Sequence, residues 1–299
     1  MEARSRSPRP VLGVRLDARW REHVPPAWRA DWNEREFALD RGSTRVVTAG
    51  TGPPALLLPP LPGYKEAWLR VLPQLALRFR VVTFDLRLHR GSANDWASHV
   101  ADAARVAEAF APGAALVVGH SLGGMLAQRY ALAHPQRVSR LVLSSTFPRV
   151  GFEWRQLVPR YLEQPLVLAT QRWLPEPLSR AAAAGFARRR AWVFDACCDA
   201  EVVEFVRFGI RNFALSDARA MVALAFAHDA RAELERLAVP TLVVVGECET
   251  AWALAAARRL AVVLPDARLV EFADVAHLHP LSAPDRLVRS IEGWLDATA

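Results

Sequence analysis

Lysine is almost missing from this chain. Lys65 is the only one, so the 38 basic residues are otherwise arginine, and against 31 acidic residues they leave a formal net charge of +7. The arginines are scattered among the acids, Arg188-Arg189-Arg190 is the one tight cluster, and no nucleic-acid-binding motif accompanies them. Such a spread in an alanine-rich chain reads as a coding bias for arginine and argues against a nucleic-acid partner. Cysteine is scarce too: the pair Cys197-Cys198 and Cys248 make three, too few for a disulfide framework, and no Cys/His spacing suits zinc. No apolar run reaches the roughly 18 residues of a membrane span. Met1 to Pro10 is basic and proline- and serine-rich but leads into no apolar segment, so a secretory signal is not expected and the reading is cytoplasmic. Internal repeats are also lacking.

What is present is apolar material in a repeating order. At 299 residues and 52% hydrophobic residues, the chain has enough for one large core or two small ones. Met1 to Asn33 has no clear periodicity; Pro8, Pro10, Pro25 and Pro26 break it, and Trp20, Trp28 and Trp32 offer docking points. We read residues 1–33 as an N-terminal extension. Glu36-Phe37-Ala38-Leu39 and Arg45-Val46-Val47-Thr48 flank Asp40-Arg41-Gly42-Ser43 as in a β-hairpin. Strands are expected at Ala55 to Leu58, Val81 to Phe84, Leu116 to Val118, Val138 to Leu143, Thr241 to Val245 and Leu269 to Phe272. Helices are expected at Tyr64 to Leu77, Trp96 to Phe110, Gly123 to His134, Trp252 to Leu264 and Pro284 to Leu295. Apolar strands alternating with helices predict an α/β fold with a doubly wound, mostly parallel sheet, formed by residues 34–147 and 237–299. Residues 148–236 interrupt the alternation with helix-forming sequence rich in large apolar side chains, which predicts an inserted helical cap.

The stretch that carries chemistry is Gly119-His120-Ser121-Leu122-Gly123-Gly124, between an apolar strand and an amphipathic helix. A serine at so tight a strand-to-helix turn takes strained backbone angles, and only small residues two places either side let the chain close; Gly119 and Gly123 meet that need. The turn also sets the Leu122 N–H at a helix N-terminus, where unpaired donors and the helix dipole favour an anion. Here the chain resembles the α/β-hydrolase superfamily, a resemblance that extends over about residues 36–297.

The resemblance implies a nucleophile, acid and base in the order Ser, Asp/Glu, His at the C-terminal ends of strands. Ser121 is then the nucleophile. His277, in Ala273-Asp274-Val275-Ala276-His277-Leu278-His279-Pro280, falls at the loop histidine, and His279 reads as packing or capping locally. Glu249, in Gly246-Glu247-Cys248-Glu249, falls where the family usually has aspartate; Glu247 is the rival carboxylate. The alternative acid position, beyond the strand ending at Leu143, offers only Ser144, Ser145 and Thr146. The second oxyanion donor is expected from Leu61, although Pro59 and Pro60 stand where the family reads His-Gly; proline lacks an N–H, but Leu61 keeps one. Asp85-Leu86-Arg87 matches an Asp-x-Arg segment read as structural, and Tyr64 and Met125 border the expected pocket. The resemblance implies no metal and no organic cofactor. It implies a serine hydrolase of small apolar carboxylic esters, with a small-molecule substrate as partner. Carbon–carbon bond hydrolysis, thioester cleavage and a non-catalytic ligand-binding role are the alternatives.

Overall fold

A computed structural model describes residues 28, 33–87, 94–150, 164–188, 198–212 and 215–298. The first hairpin, β1 (Asn33–Ala38) and β2 (Ser43–Ala49), pairs antiparallel, and β2 continues antiparallel onto β4 (Arg80–Phe84). From there β3 (Pro54–Leu58), β5 (Ala115–His120), β6 (Val138–Ser144), β7 (Thr241–Gly246) and β8 (Ala267–Phe272) run parallel. The eight-stranded order is β1-β2-β4-β3-β5-β6-β7-β8. The chain leaves β3 for β4 on one side and returns to β5 on the other. The carboxyl ends of strands flanking such a reversal are where open α/β sheets bind ligands, here the ends of β3 and β5.

The parallel strands are apolar on both faces because both faces are covered; every residue of β5 and of β7 is buried. Alternate side chains feed opposite layers. Leu56, Leu58, Val117, Leu141, Leu143, Val243 and Val245 pack with α2 (Trp96–Phe110), α3 (Leu122–Ala133) and α9 (Ala251–Val263). Ala55, Leu57, Leu116, Val118, Val142, Leu242 and Val244 pack on the other face with Trp68, Leu72, Leu287, Ile291 and Trp294. The last three belong to α11 (Pro284–Ala297), which follows the short α10 (His279–Ser282), and Leu72 to α1 (Leu72–Leu75).

Between β6 and β7 the described residues form α4 (Gln164–Trp173), α5 (Glu176–Arg188), α6 (Ala200–Asn212), α7 (Leu215–Phe226) and the short α8 (Arg231–Leu234). This is where the alternation was expected to stop. Gly63 lies close to Met221 of α7, and the Tyr64 ring lies close to Gly209 of α6, so these helices cover the loop after β3. Trp28 is buried, meets Phe205 of α6 edge-on at 6.2 Å and has the Arg70 guanidinium over its ring at 4.8 Å. Trp20 and Trp32 lie outside the described residues, as do Cys197 and the Arg189-Arg190 part of the basic cluster.

One element departs from expectation. The single helix expected over Tyr64 to Leu77 is instead a 3₁₀ turn, Lys65–Trp68, followed by the one-turn α1. Pro73 explains the break: it has no N–H to return to the Leu69 carbonyl, so the ladder from the first turn stops and restarts with Pro73 in the first turn of α1, where a missing N–H is tolerated. Among the described residues no helix is long and apolar enough to cross a membrane, and no group of His, Cys, Asp or Glu has metal-ligating geometry.

Candidate functional site

The turn from β5 into α3 holds Ser121 at φ 52°, ψ −117°, outside the ordinary basins of a non-glycine residue. Its neighbours show why the chain needs glycine here. A Cβ on Gly123 would lie 2.0 Å from the Leu58 carbonyl oxygen, and one on Gly119 would lie 2.4 Å from the Gly123 oxygen. Both obstacles are backbone and cannot turn aside. The elbow is anchored from β6: the Ser121 N–H donates to the Ser144 carbonyl at 2.9 Å, and the Thr146 hydroxyl donates to the Ser121 carbonyl at 2.8 Å.

Ser121 is half-buried, and its Oγ lies 3.0 Å from His277 Nε2. His277 sits in the loop after β8, with Nδ1 3.1 Å from Glu249 Oε2. Glu249 leaves the end of β7 and is buried, whereas Glu247, the rival carboxylate, is exposed. Burial alone would push the Glu249 carboxyl upward. The His277 charge, its hydrogen bond and that of Ser145 overcome this and hold the carboxyl below its usual value, so it stays ionised. The structure therefore brings Ser121, His277 and Glu249 into one chain of contacts.

A second serine and histidine lie close by. Ser144 Oγ is 2.6 Å from His279 Nε2, and His279 Nδ1 is 3.4 Å from Ser145 Oγ, whose hydroxyl donates to Glu249 Oε1. Burial separates the two groupings. Ser144, Ser145 and His279 are each 0% exposed, whereas Ser121 is partly open to solvent. His279 packs edge-on against Phe272 and His120, and beyond the local packing or capping expected of it, its ring joins this buried network. In the sequence Ser145 marks only the absence of an acid after β6. A polar residue at that strand end was the one signal available.

The loop after β3 turns back on itself: the Gly63 N–H donates to the Pro60 carbonyl at 2.6 Å, and the Leu86 N–H donates to the Gly63 carbonyl at 2.9 Å. Leu61 stands at the tip, 37% exposed, and Leu122 is the first residue of α3. Among the described residues neither backbone N–H donates a hydrogen bond. The close approach of Gly123 to the Leu58 and Pro59 carbonyls seats this loop against the N-terminus of α3.

Asp85 has a structural surrounding. Its carboxylate accepts the Lys65 backbone N–H at 3.1 Å and the Lys65 ammonium at 3.2 Å. The chain's single lysine is thus buried, with Glu66 at 2.5 Å and Glu34 at 3.4 Å as further partners. Burial and the Glu66 charge raise the Asp85 carboxyl to about 7 despite the ammonium. Arg87 pairs with buried Asp102. Tyr64 and Met125 are both buried.

A family profile described as alpha/beta hydrolase fold matches residues 53–284. The pimeloyl-(acyl-carrier protein) methyl ester esterase of Chromobacterium violaceum is 30% identical over 271 residues, which cover 85% of this chain and 98% of that one. The enzyme of the same name from Nitrosomonas europaea is 29% identical over 261 residues, covering 82% and 97%. Among solved structures, a hydrolase from Pseudomonas aeruginosa superposes with TM-score 0.68 at 26% identity, over 88% of this chain and 98% of that one. The enol-lactonase of Burkholderia xenovorans superposes with TM-score 0.69 at 21% identity, over 88% and 100%, a likeness of fold.

Proposed function

We propose that this chain, which belongs to the α/β-hydrolase fold family, hydrolyses carboxylic esters through Ser121, His277 and Glu249. The observation that carries the reading is the strained elbow serine with Oγ 3.0 Å from His277 Nε2, and Nδ1 of the same ring 3.1 Å from a buried carboxylate. A serine hydroxyl is a poor nucleophile until a base removes its proton. The Glu249 carboxylate accepts the Nδ1–H of His277 and leaves Nε2 free to take the Ser121 proton as Oγ attacks the ester carbonyl. The tetrahedral oxyanion settles between the Leu61 and Leu122 N–H groups, each worth about 10²–10³ in rate in such a site. The imidazolium gives its proton to the departing alcohol. Water then repeats the sequence on the acyl-enzyme, releasing the acid and restoring Ser121.

Relatives that carry the name methyl ester esterase over nearly their whole length support ester over thioester or carbon–carbon cleavage. The apolar helices α6 and α7 over the loop after β3 support a small apolar acyl or alcohol group. In this reading residues 34–147 and 237–299 are the catalytic core, residues 148–236 the cap and residues 1–33 an extension, and the protein works in the cytoplasm.

The test is labelling by a fluorophosphonate, with intact mass and peptide mapping beside Ser121→Ala. One label per chain on Ser121, absent from the variant, is the expected result, followed by hydrolysis of p-nitrophenyl and methyl esters. A folded protein that takes no label would instead be a ligand-binding member of the fold.

A further inference from the structure

The hydrogens of the buried network behind Glu249 have one consistent arrangement. Glu249 is an ionised acceptor on both oxygens, so the Ser145 hydroxyl must donate to Oε1. His279 Nδ1 lies 3.4 Å from Ser145 Oγ and 3.3 Å from the Ala276 carbonyl; a carbonyl only accepts, so Nδ1 carries the hydrogen and shares it between the two. Burial lowers the His279 imidazole to about 4, so the ring is neutral and its Nε2 is an acceptor, filled by the Ser144 hydroxyl at 2.6 Å. Ser144 Oγ in turn accepts from His120 Nδ1 at 2.9 Å, a nitrogen that also donates to the Ser144 carbonyl at 3.1 Å. Every side-chain hydrogen bond in the series points one way: His120 to Ser144, Ser144 to His279, His279 to Ser145, Ser145 to Glu249.

Ser145 is held at the join with φ 43°, left-handed for a residue with a Cβ, by its N–H on the Val244 carbonyl at 2.8 Å. Such a conformation costs about 1 kcal/mol or more and persists only where the surroundings over-determine it. A glutamate has one more rotatable bond than an aspartate, so its carboxylate needs a second restraint to present one oxygen to His277. From these observations we infer that Ser145 and His279 are positioning residues, a buried backstop that fixes the Glu249 rotamer from the oxygen opposite His277. The inference rests on the triad reading given above.

The experiment uses the full chain and four substitutions: Ser145→Ala, His279→Asn, His279→Gln and His279→Leu. An asparagine amide nitrogen falls near the Nδ1 position and keeps a donor for Ser145, whereas glutamine reaches the Nε2 position and leucine only fills space. A misplaced catalytic group costs about 10²-fold, so kcat or the fluorophosphonate labelling rate should fall on that order in Ser145→Ala, His279→Gln and His279→Leu, with KM unchanged. His279→Asn should recover most of the loss. A packing role would let leucine or glutamine serve as well as asparagine, and that result overturns the inference, as does Ser145→Ala with kcat within threefold of the parent. A downfield proton resonance from His277 Nδ1–H separates the two readings, because it needs no turnover. Present in the parent and lost in Ser145→Ala, it supports the backstop even if no ester is cleaved; unchanged in that variant, it refutes it.

Discussion

Replacing Glu249 by glutamine tests the acid assignment in one atom. Two donors converge on this carboxylate, the His277 Nδ1–H on Oε2 and the Ser145 hydroxyl on Oε1. Glutamine has a single acceptor oxygen. If that oxygen stays on Ser145, the amide NH₂ faces His277, which must turn to the tautomer with hydrogen on Nε2 and can no longer take the Ser121 proton. Mis-set tautomers of this kind cost about 10⁴ in kcat in the serine protease template. If the amide flips, the tautomer survives but the negative charge beside the imidazolium is gone. At the observed 3.1 Å separation an effective dielectric of about 20 makes that charge pair worth about 5 kcal/mol. At about 1.36 kcal/mol per tenfold, this is again between 10³ and 10⁴. Both routes therefore predict a 10³- to 10⁴-fold fall in kcat/KM for p-nitrophenyl acetate, with the melting temperature recorded beside it. Glu247→Gln, at an exposed site, should stay within about twofold. A folded Glu249→Gln variant that loses less than tenfold, or a Glu247→Gln variant that matches it, would refute the reasoning.

Further substitutions and pH probe the scaffold. Gly123→Ala puts a Cβ 2.0 Å from the Leu58 carbonyl oxygen; parting the loop from α3 should cost the oxyanion contact about 10²-fold in kcat, and near-parental kinetics would count against that packing. Lys65→Met leaves Asp85 and Glu66 buried without their ammonium; urea denaturation should show a loss of about 3–5 kcal/mol, and a loss under 1 kcal/mol would mean the carboxylates find other partners. Burial lowers His279 to about 4 and His228 to about 3 from 6.5. Both imidazoles are depressed on folding, so their contribution is complete above pH 6.5 and drains away as pH falls toward 4 and 3, because the unfolded chain takes up more protons. Melting temperature should drop between pH 6.5 and 4, and His228→Gln should flatten that slope; an equal slope in the variant removes His228 from the account.

The sequence alone determined the succession of elements. Short continuous apolar runs and period-3.6 stripes are written in adjacent residues, so strands β3 to β8 and helices α2, α3, α9 and α11 were legible to within a few residues. Only Pro73, whose effect depends on one missing N–H, split an expected helix. Legible as well were the need for glycine around Ser121 and the positions of Glu249 and His277 just past their strands, because strand ends in a parallel sheet share one edge. What the tertiary structure decided is which polar groups meet across that edge. Glu249 and Ser145 are 104 residues apart in the chain, and Ser144 and His279 135. No local pattern encodes such contacts; they follow from β6 lying beside β7 and from burial that leaves each polar atom only the others to satisfy it. The same holds for Lys65, conspicuous in the sequence only as the single lysine. Packing of the loop after β3 against β4 encloses it among three carboxylates.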